Sequence, residues 1–229
     1  MNRIIVVLLL LSTFWQSSNV FAQGYDCDEP IFPRYDKKTR LWGYTSINRQ
    51  YIVPPTYTQA WVHQERYAIV LMGTKYGIID CNGTLVVPAE YDDIMYFNSG
   101  RGWAKKDNQW ALITNKNKQL TPHIFADIKP VSERRSPTWV KKGTKWGMFD
   151  KDNVKYIIDP QFDAVNSLGD SAAIVKKGNL FAIVDYDYNA VVLDNIEFIF
   201  NITENYLAYR RGSKWGVIGK SARSLLVPK

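Results

Sequence analysis

Beyond residue 25 the chain is written in short apolar runs, separated by polar and glycine-bearing turns. Trp139-Val140, Gly147 to Phe149 and Ala172 to Val175 are runs of this kind, with many β-branched and aromatic side chains. Alternation over such lengths predicts strands, and no segment after the first residues carries an amphipathic helical period. Two turn signals recur between the runs. Gly73, Gly143, Gly178 and Gly212 predict one hairpin tip. Asp80-Cys81-Asn82-Gly83, Asp150-Lys151-Asp152-Asn153 and Asp185-Tyr186-Asp187-Tyr188 predict a second, since these residues tolerate tight and left-handed turns.

The pattern repeats. Aligned on an aromatic followed by a small residue, the chain gives Trp42-Gly43, Tyr76-Gly77, Trp110-Ala111, Trp146-Gly147, Phe181-Ala182 and Trp215-Gly216, at intervals of 34, 34, 36, 35 and 34 residues. A proline follows each pair except the fifth, at Pro54, Pro88, Pro122, Pro160 and Pro228, and is expected to end the strand it enters. A third anchor precedes the pair, at Tyr25, Tyr57, Tyr91, Phe125, Phe162 and Ile196. Written from that anchor, six units start near residues 25, 57, 91, 125, 162 and 196. Each predicts three or four antiparallel strands. Because Ala replaces Gly in two pairs, the second position is expected to need small size rather than positive φ, with a ring or strand of the neighbouring unit packed against it. One unit of this length cannot bury enough surface to stand alone, so the units must stack.

These residues resemble the WG-repeat family, also called KWG repeats, widespread in bacterial proteins. The segments closest to the motif are Lys145-Trp146-Gly147-Met148-Phe149-Asp150, Lys75-Tyr76-Gly77-Ile78-Ile79-Asp80, Lys214-Trp215-Gly216-Val217-Ile218 and the connecting Val86-Val87-Pro88-Ala89-Glu90-Tyr91-Asp92. Units three and five depart from it (Gln109-Trp110-Ala111, Leu180-Phe181-Ala182), and the first unit is shortened. The resemblance implies an all-β, β-propeller-like repeat domain with no established catalytic activity of its own. Six whole units suit a six-bladed ring, which protects its sheet edges; an open array of β-hairpins is the alternative.

The amino terminus reads differently. Arg3, the apolar run Ile4 to Leu11 and Val20-Phe21-Ala22 predict a secretory signal peptide over residues 1–22, cut after Ala22. Residues 23–229 form the repeat domain, expected to be secreted or periplasmic, and no later apolar stretch is long enough to enter a bilayer. Cys27 lacks a small apolar lipobox before it. In an oxidising compartment Cys27 and Cys81 can form a disulfide; the other reading is two free thiols, with Cys81 in a turn.

Charge adds one placed feature. Five and four residues before the repeat aromatic stand Lys37-Lys38, Leu71-Met72, Lys105-Lys106, Lys141-Lys142, Lys176-Lys177 and Arg210-Arg211. Residues 23–229 hold 28 basic against 22 acidic side chains, and without these ten the balance is negative. Trp103 and Trp139 stand seven before their aromatics, with Tyr35 at the equivalent place, so each shares a strand face with a basic residue. The candidate binding residues are therefore Lys105, Lys106, Lys141, Lys142, Lys176, Lys177, Arg210 and Arg211, with Trp103 and Trp139 as stacking platforms. Such an arc suits an anionic glycan. The plainer reading is solvated hairpin tips over a tryptophan core.

No catalytic residue is identified. His63 and His123 stand in no motif with a nucleophile, and no nucleophile elbow, zinc-protease helix motif or phosphate loop occurs. Asp185 to Asn189 opens like a calcium loop, but Ala190 stands at its sixth position and Ile196 at its twelfth. Neither a metal nor a cofactor is expected. The reading is an exported, non-enzymatic binding module for an anionic envelope polymer or a protein partner. Export makes nucleic acid a poor partner. A propeller-type glycan hydrolase and a structural surface component are the alternatives.

Overall fold

The computed structural model describes residues 27, 29–95, 97–131, 137–168, 171–186, 190–203, 205–219 and 225–226. The predicted leader with its cleavage site, Tyr25 and Pro228 lie outside the described residues. All described elements are strands and all their pairings are antiparallel. Among the described residues, no helix is long and apolar enough to cross a membrane.

Unit one contains β1 (Phe32–Asp36), β2 (Leu41–Thr45) and β3 (Tyr51–Tyr57). Unit two contains β4 (Gln59–Ala60), β5 (Tyr67–Met72), β6 (Lys75–Asp80) and β7 (Leu85–Tyr91). Unit three contains β8 (Asp93–Ile94), β9 (Arg101–Lys106) and β10 (Gln109–Thr114), and runs into unit four at β11 (Phe125–Pro130). Unit four continues as β12 (Pro137–Lys142), β13 (Lys145–Asp150) and β14 (Lys155–Phe162). Unit five contains β15 (Ala164–Ser167), β16 (Ala172–Lys177), β17 (Leu180–Asp185) and β18 (Ala190–Ile196). Unit six contains β19 (Phe198–Asn201), β20 (Tyr206–Arg211), β21 (Lys214–Gly219) and β22 (Leu225–Leu226). Units three and four form one seven-stranded sheet because β11 pairs with β10 through Trp110 and Phe125 and with β12 along its length.

The aromatic and the anchor are partners in one ladder. Trp42 pairs with Tyr57, Tyr76 with Tyr91, Trp110 with Phe125, Trp146 with Phe162 and Phe181 with Ile196. The anchor thus closes one unit, and the next residue opens the following one. The N–H groups of Thr58, Asp92, Asp163 and Glu197 donate to the carbonyls of Leu71, Lys105, Lys176 and Arg210, tying the chain to the next hairpin at the same register.

The need for a small residue has a different cause from the one expected. In β3, β7 and β14 three residues bulge against one between two paired positions: 54–56 against Gly43, 88–90 against Gly77 and 159–161 against Gly147. The bulge drives the backbone of the same unit onto the glycine. A Cβ on Gly147 would stand 2.6 Å from the Ile158 carbonyl oxygen and 2.7 Å from the Pro160 nitrogen. In unit five only Asp194 and Asn195 face Ala182, and no proline is present. The shorter bulge leaves room for the alanine methyl. The prolines Pro54, Pro88 and Pro160 lie inside their strands at these bulges, rather than ending them, because a bulged residue has no ladder bond to donate.

Five buried cores fill the spaces between consecutive units. Tyr44 meets Val70 and Ile79; Ile78 meets Ala104 and Ile113; Trp103 and Leu112 meet Val140 and Phe149; Trp139 and Met148 meet Val175 and Val184; Ile183 meets Leu207 and Ile218. Each hairpin therefore offers a forward face to the unit after it and a backward face to the unit before it. Among the described residues no such core joins unit six to unit one, so the expected ring closure is not seen. Trp215 is 53% exposed at the position where Trp110 and Trp146 are buried and Trp42, Tyr76 and Phe181 are half-buried. Cys27 and Cys81 form a disulfide that ties the segment before β1 to the turn between β6 and β7, across 54 residues of chain.

Candidate functional site

The basic residues stand at the end of the first strand of each hairpin, beside its turn. Two-residue turns set this geometry: Gly143 at φ 58° begins one, and Asp107 and Asn108, both at positive φ, make another. With tips of this length, the first basic residue lies directly across from the repeat aromatic: Lys105 from Trp110, Lys141 from Trp146, Lys176 from Phe181 and Arg210 from Trp215. Their cationic groups stand 6.0, 5.8, 5.9 and 5.9 Å from the ring centroids, at the outer reach of cation–π attraction. Unit one breaks the series. Its turn is four residues long, Tyr35 faces Trp42, and Lys37 and Lys38 sit in the turn itself, with the Lys38 N–H donating to Asp36 at 3.0 Å.

The second basic residue often reaches back toward the bulge of the preceding unit. Lys106 pairs with Glu90 at 2.9 Å, Lys177 donates to the Gln161 side chain at 3.0 Å and Arg211 lies 3.8 Å from Asp194. Lys142 is exposed. Arg210 pairs with Glu197 at 3.0 Å and also lies 4.4 Å from the Phe198 ring. Among the described residues, Lys105, Lys141, Lys142, Lys176 and Lys177 form no ion pair with a carboxylate. The structure thus places the eight basic residues at matching register and sorts them, among the described residues, into five without an ion-paired carboxylate and three with one.

Electrostatics at the tips follows from these pairs. The hydrogen bond from Lys106, more than its charge, holds the Glu90 carboxyl below its usual range, and the same bond raises the Lys106 ammonium. Asp163 is lowered first by the Lys145 ammonium and then by the Gly178 N–H, which donates to it at 2.7 Å. Asp92 is lowered chiefly by Lys75. Asp92 and Asp163, each following an anchor, hold a lysine of the preceding unit, and Thr58 and Asp163 accept from the turn glycine of the next hairpin.

Trp103 and Trp139 are not platforms. Trp103 is 3% exposed, edge-on to Phe125 and Phe149, with its indole N–H donating to the Thr138 hydroxyl of unit four at 3.4 Å. Trp139 is fully buried, and its N–H donates to the Tyr186 hydroxyl of unit five at 3.1 Å. They share a strand face with Lys105 and Lys141, but that is the forward face, which the following unit covers. Only its turn end reaches solvent, so the lysines emerge and the tryptophans do not.

Lys129 was not singled out by sequence. It lies 4.8 Å from the Trp146 ring and donates to the Val165 carbonyl at 3.3 Å, bridging units four and five. It stands outside the basic-pair register, so the repeat gave no signal for it. The partners Glu90 and Asp194 do carry one, since they precede their anchors by one and two residues. His63 is buried against Tyr44, and its Nε2 lies 3.1 Å from the Asp80 carbonyl; burial lowers its pKa. Among the described residues, no group of three or more His, Cys, Asp or Glu side chains is placed to hold a metal ion.

The family model described as "WG containing repeat" matches residues 76–110 and 146–181. No curated protein matches the chain. Solved structures similar to it include the computationally designed Ika8 protein, at 9% identity over 82% of this chain and 68% of that one, with a TM-score of 0.40. A eukaryotic initiation factor shares 11% identity over 93% of this chain and 66% of its own, with a TM-score of 0.45. Hsv2 of Kluyveromyces lactis shares 11% identity over 87% and 77%, with a TM-score of 0.43. The chain spans about two thirds of the length of the first two. Likeness at this distance carries no argument about closure or activity.

Proposed function

We propose that this chain, which carries WG-containing repeats at residues 76–110 and 146–181, is an exported, non-enzymatic binding module whose hairpin tips in units three to six hold an anionic polymer. The observation that carries the reading is the cation set across from the repeat aromatics. Lys105, Lys141 and Lys176 recur at one register, each over its own ring, and none pairs with a described carboxylate. A repeated cation at fixed spacing matches a polymer with repeated anionic groups better than it matches a small ligand. The disulfide between Cys27 and Cys81 supports an oxidising, extracytoplasmic setting, secreted or periplasmic. The six units act as an open array rather than a six-bladed ring. Arg34 supports this, since it stands exposed on the outward face of unit one, at the position that is apolar and buried in every other unit.

The test is affinity for an anionic polysaccharide such as dextran sulfate, with neutral dextran as control. Replacing Lys141, Lys142, Lys176 and Lys177 by Gln removes four cationic contacts at the tips worth about 0.5 kcal/mol each. Their loss weakens binding roughly thirtyfold at physiological salt while the melting temperature stays within about 2 °C. Unchanged affinity would return these residues to solvated tips, and turnover of the polymer would favour a hydrolase.

A further inference from the structure

We propose that the forward face of unit six is a self-association surface that joins two copies of this chain tail to tail. Cross-strand pairing puts Phe198, Arg210 and Trp215 on that face, with Phe200, Ala208 and Val217 in the next row. Tyr206, two and four residues before Ala208 and Arg210 on the same strand, shares it. Phe198, Phe200, Tyr206 and Trp215 are each about half exposed. In units one to five the same face is the one that the following unit buries. Here the described residues leave it uncovered.

The occupant follows from what the other faces contain. The residue opposite the small position lies on the backward face and is Val70, Ala104, Val140, Val175 or Tyr209 in units two to six, all buried. In unit one it is Arg34, exposed across from Gly43, with Thr45 beside it and Arg49 nearby. A head-to-tail contact would bury the charges of Arg34 and Arg49 against the apolar rows of Phe198, Phe200 and Trp215, which is unfavourable. Such a polar face suits the cap of a stacked array, and unit one presents it. Unit six does not. A two-fold contact matches its apolar face with itself, the commonest symmetry of small oligomers.

The face is prepared for burial. Arg210 is already neutralised by Glu197 and flattened between Phe198 and Trp215, and Arg211 lies beside Asp194. Phe200 and Trp215 hold each other edge to face at 6.0 Å. Four aromatic side chains left half exposed amount to roughly 400 Å² of apolar surface per copy. That is about half the roughly 800 Å² per partner of a stable interface, and the remaining rows and strand edges can supply the balance. An uncovered apolar cluster of this size marks an interaction site.

The experiment is sedimentation of the mature protein from about 1 to 200 µM, beside the Phe198→Asp, Phe200→Asp double variant and the Arg34→Glu variant. The expected result is a reversible monomer–dimer equilibrium that stops at two copies, shifts to monomer in the double variant and is unchanged by Arg34→Glu. Amide exchange on wild-type protein gives a second reading independent of the variants: protection of residues 206–219 increases with concentration. A monomer throughout with concentration-independent exchange would overturn the proposal and leave the face to another protein. A ladder of higher oligomers, or a dimer broken by Arg34→Glu, would overturn it in favour of head-to-tail assembly.

Discussion

Gly147→Ala tests the account of the bulge in one atom. The added methyl would stand 2.6 Å from the Ile158 carbonyl oxygen, 2.7 Å from the Pro160 nitrogen and 2.9 Å from the Pro160 Cα. All three are backbone atoms, so no rotamer change relieves the contact and the strand must move. Overpacking of this kind costs about 1–3 kcal/mol, and with only backbone to yield we place the loss near 3. For a domain of this size that lowers the melting temperature by roughly 6–12 °C. The assay is urea unfolding followed by tryptophan fluorescence, with Ala182→Gly as the converse. There the two-residue bulge already accommodates a methyl, so the change costs only about 0.5–1 kcal/mol through backbone entropy. Deleting Pro160 from Gly147→Ala shortens the bulge to the unit-five form and should recover at least half of the loss. A neutral Gly147→Ala, or a double change worse than the single, would refute the reasoning.

Further outcomes follow from the same packing. Trp139→Ala should cost about 3–5 kcal/mol, because it empties the core between units four and five and leaves the Tyr186 hydroxyl without its indole donor; urea midpoints check this. Reducing the disulfide frees a 54-residue loop in the unfolded chain and should cost about 4 kcal/mol, read as a lower melting temperature in dithiothreitol that Cys27→Ser, Cys81→Ser reproduces. Asp92, Asp163 and Glu90 all have folded pKa values below their unfolded ones. Their contribution is therefore present above about pH 4 and is lost as pH falls through the folded values; Asp163→Asn should flatten that acid limb in a pH series of melting temperatures.

Much of the architecture was legible because aromatic, small residue and anchor recur at nearly constant spacing. What each was for was less legible. The interval from Tyr76 to Tyr91 equals that from Phe181 to Ile196, because the shorter bulge of unit five is offset by a longer turn. Sequence distance therefore hides the difference that decides between glycine and alanine. Strand parity put Trp103 with Lys105 and Trp139 with Lys141 on one face, but not which face the next unit covers. That depends on packing between units, which periodicity within one unit does not report. The basic register was legible wherever the turn has two residues, and it failed at Lys37 and Lys38, where two extra residues shift the alignment.

The measurement that bears most directly on the central claim is the salt dependence of polyanion binding at the hairpin tips. Affinity of the wild-type protein and of Lys105→Gln, Lys141→Gln, Lys176→Gln for dextran sulfate should be titrated between about 50 and 500 mM salt. Cations that meet a polyanion release its counterions, so the slope of log affinity against log salt counts them. The account predicts a steep wild-type line, a shallower line for the triple variant and convergence of the two at high salt, where exposed charges are screened within a few ångström. Parallel lines, or a wild-type affinity indifferent to salt, would contradict it.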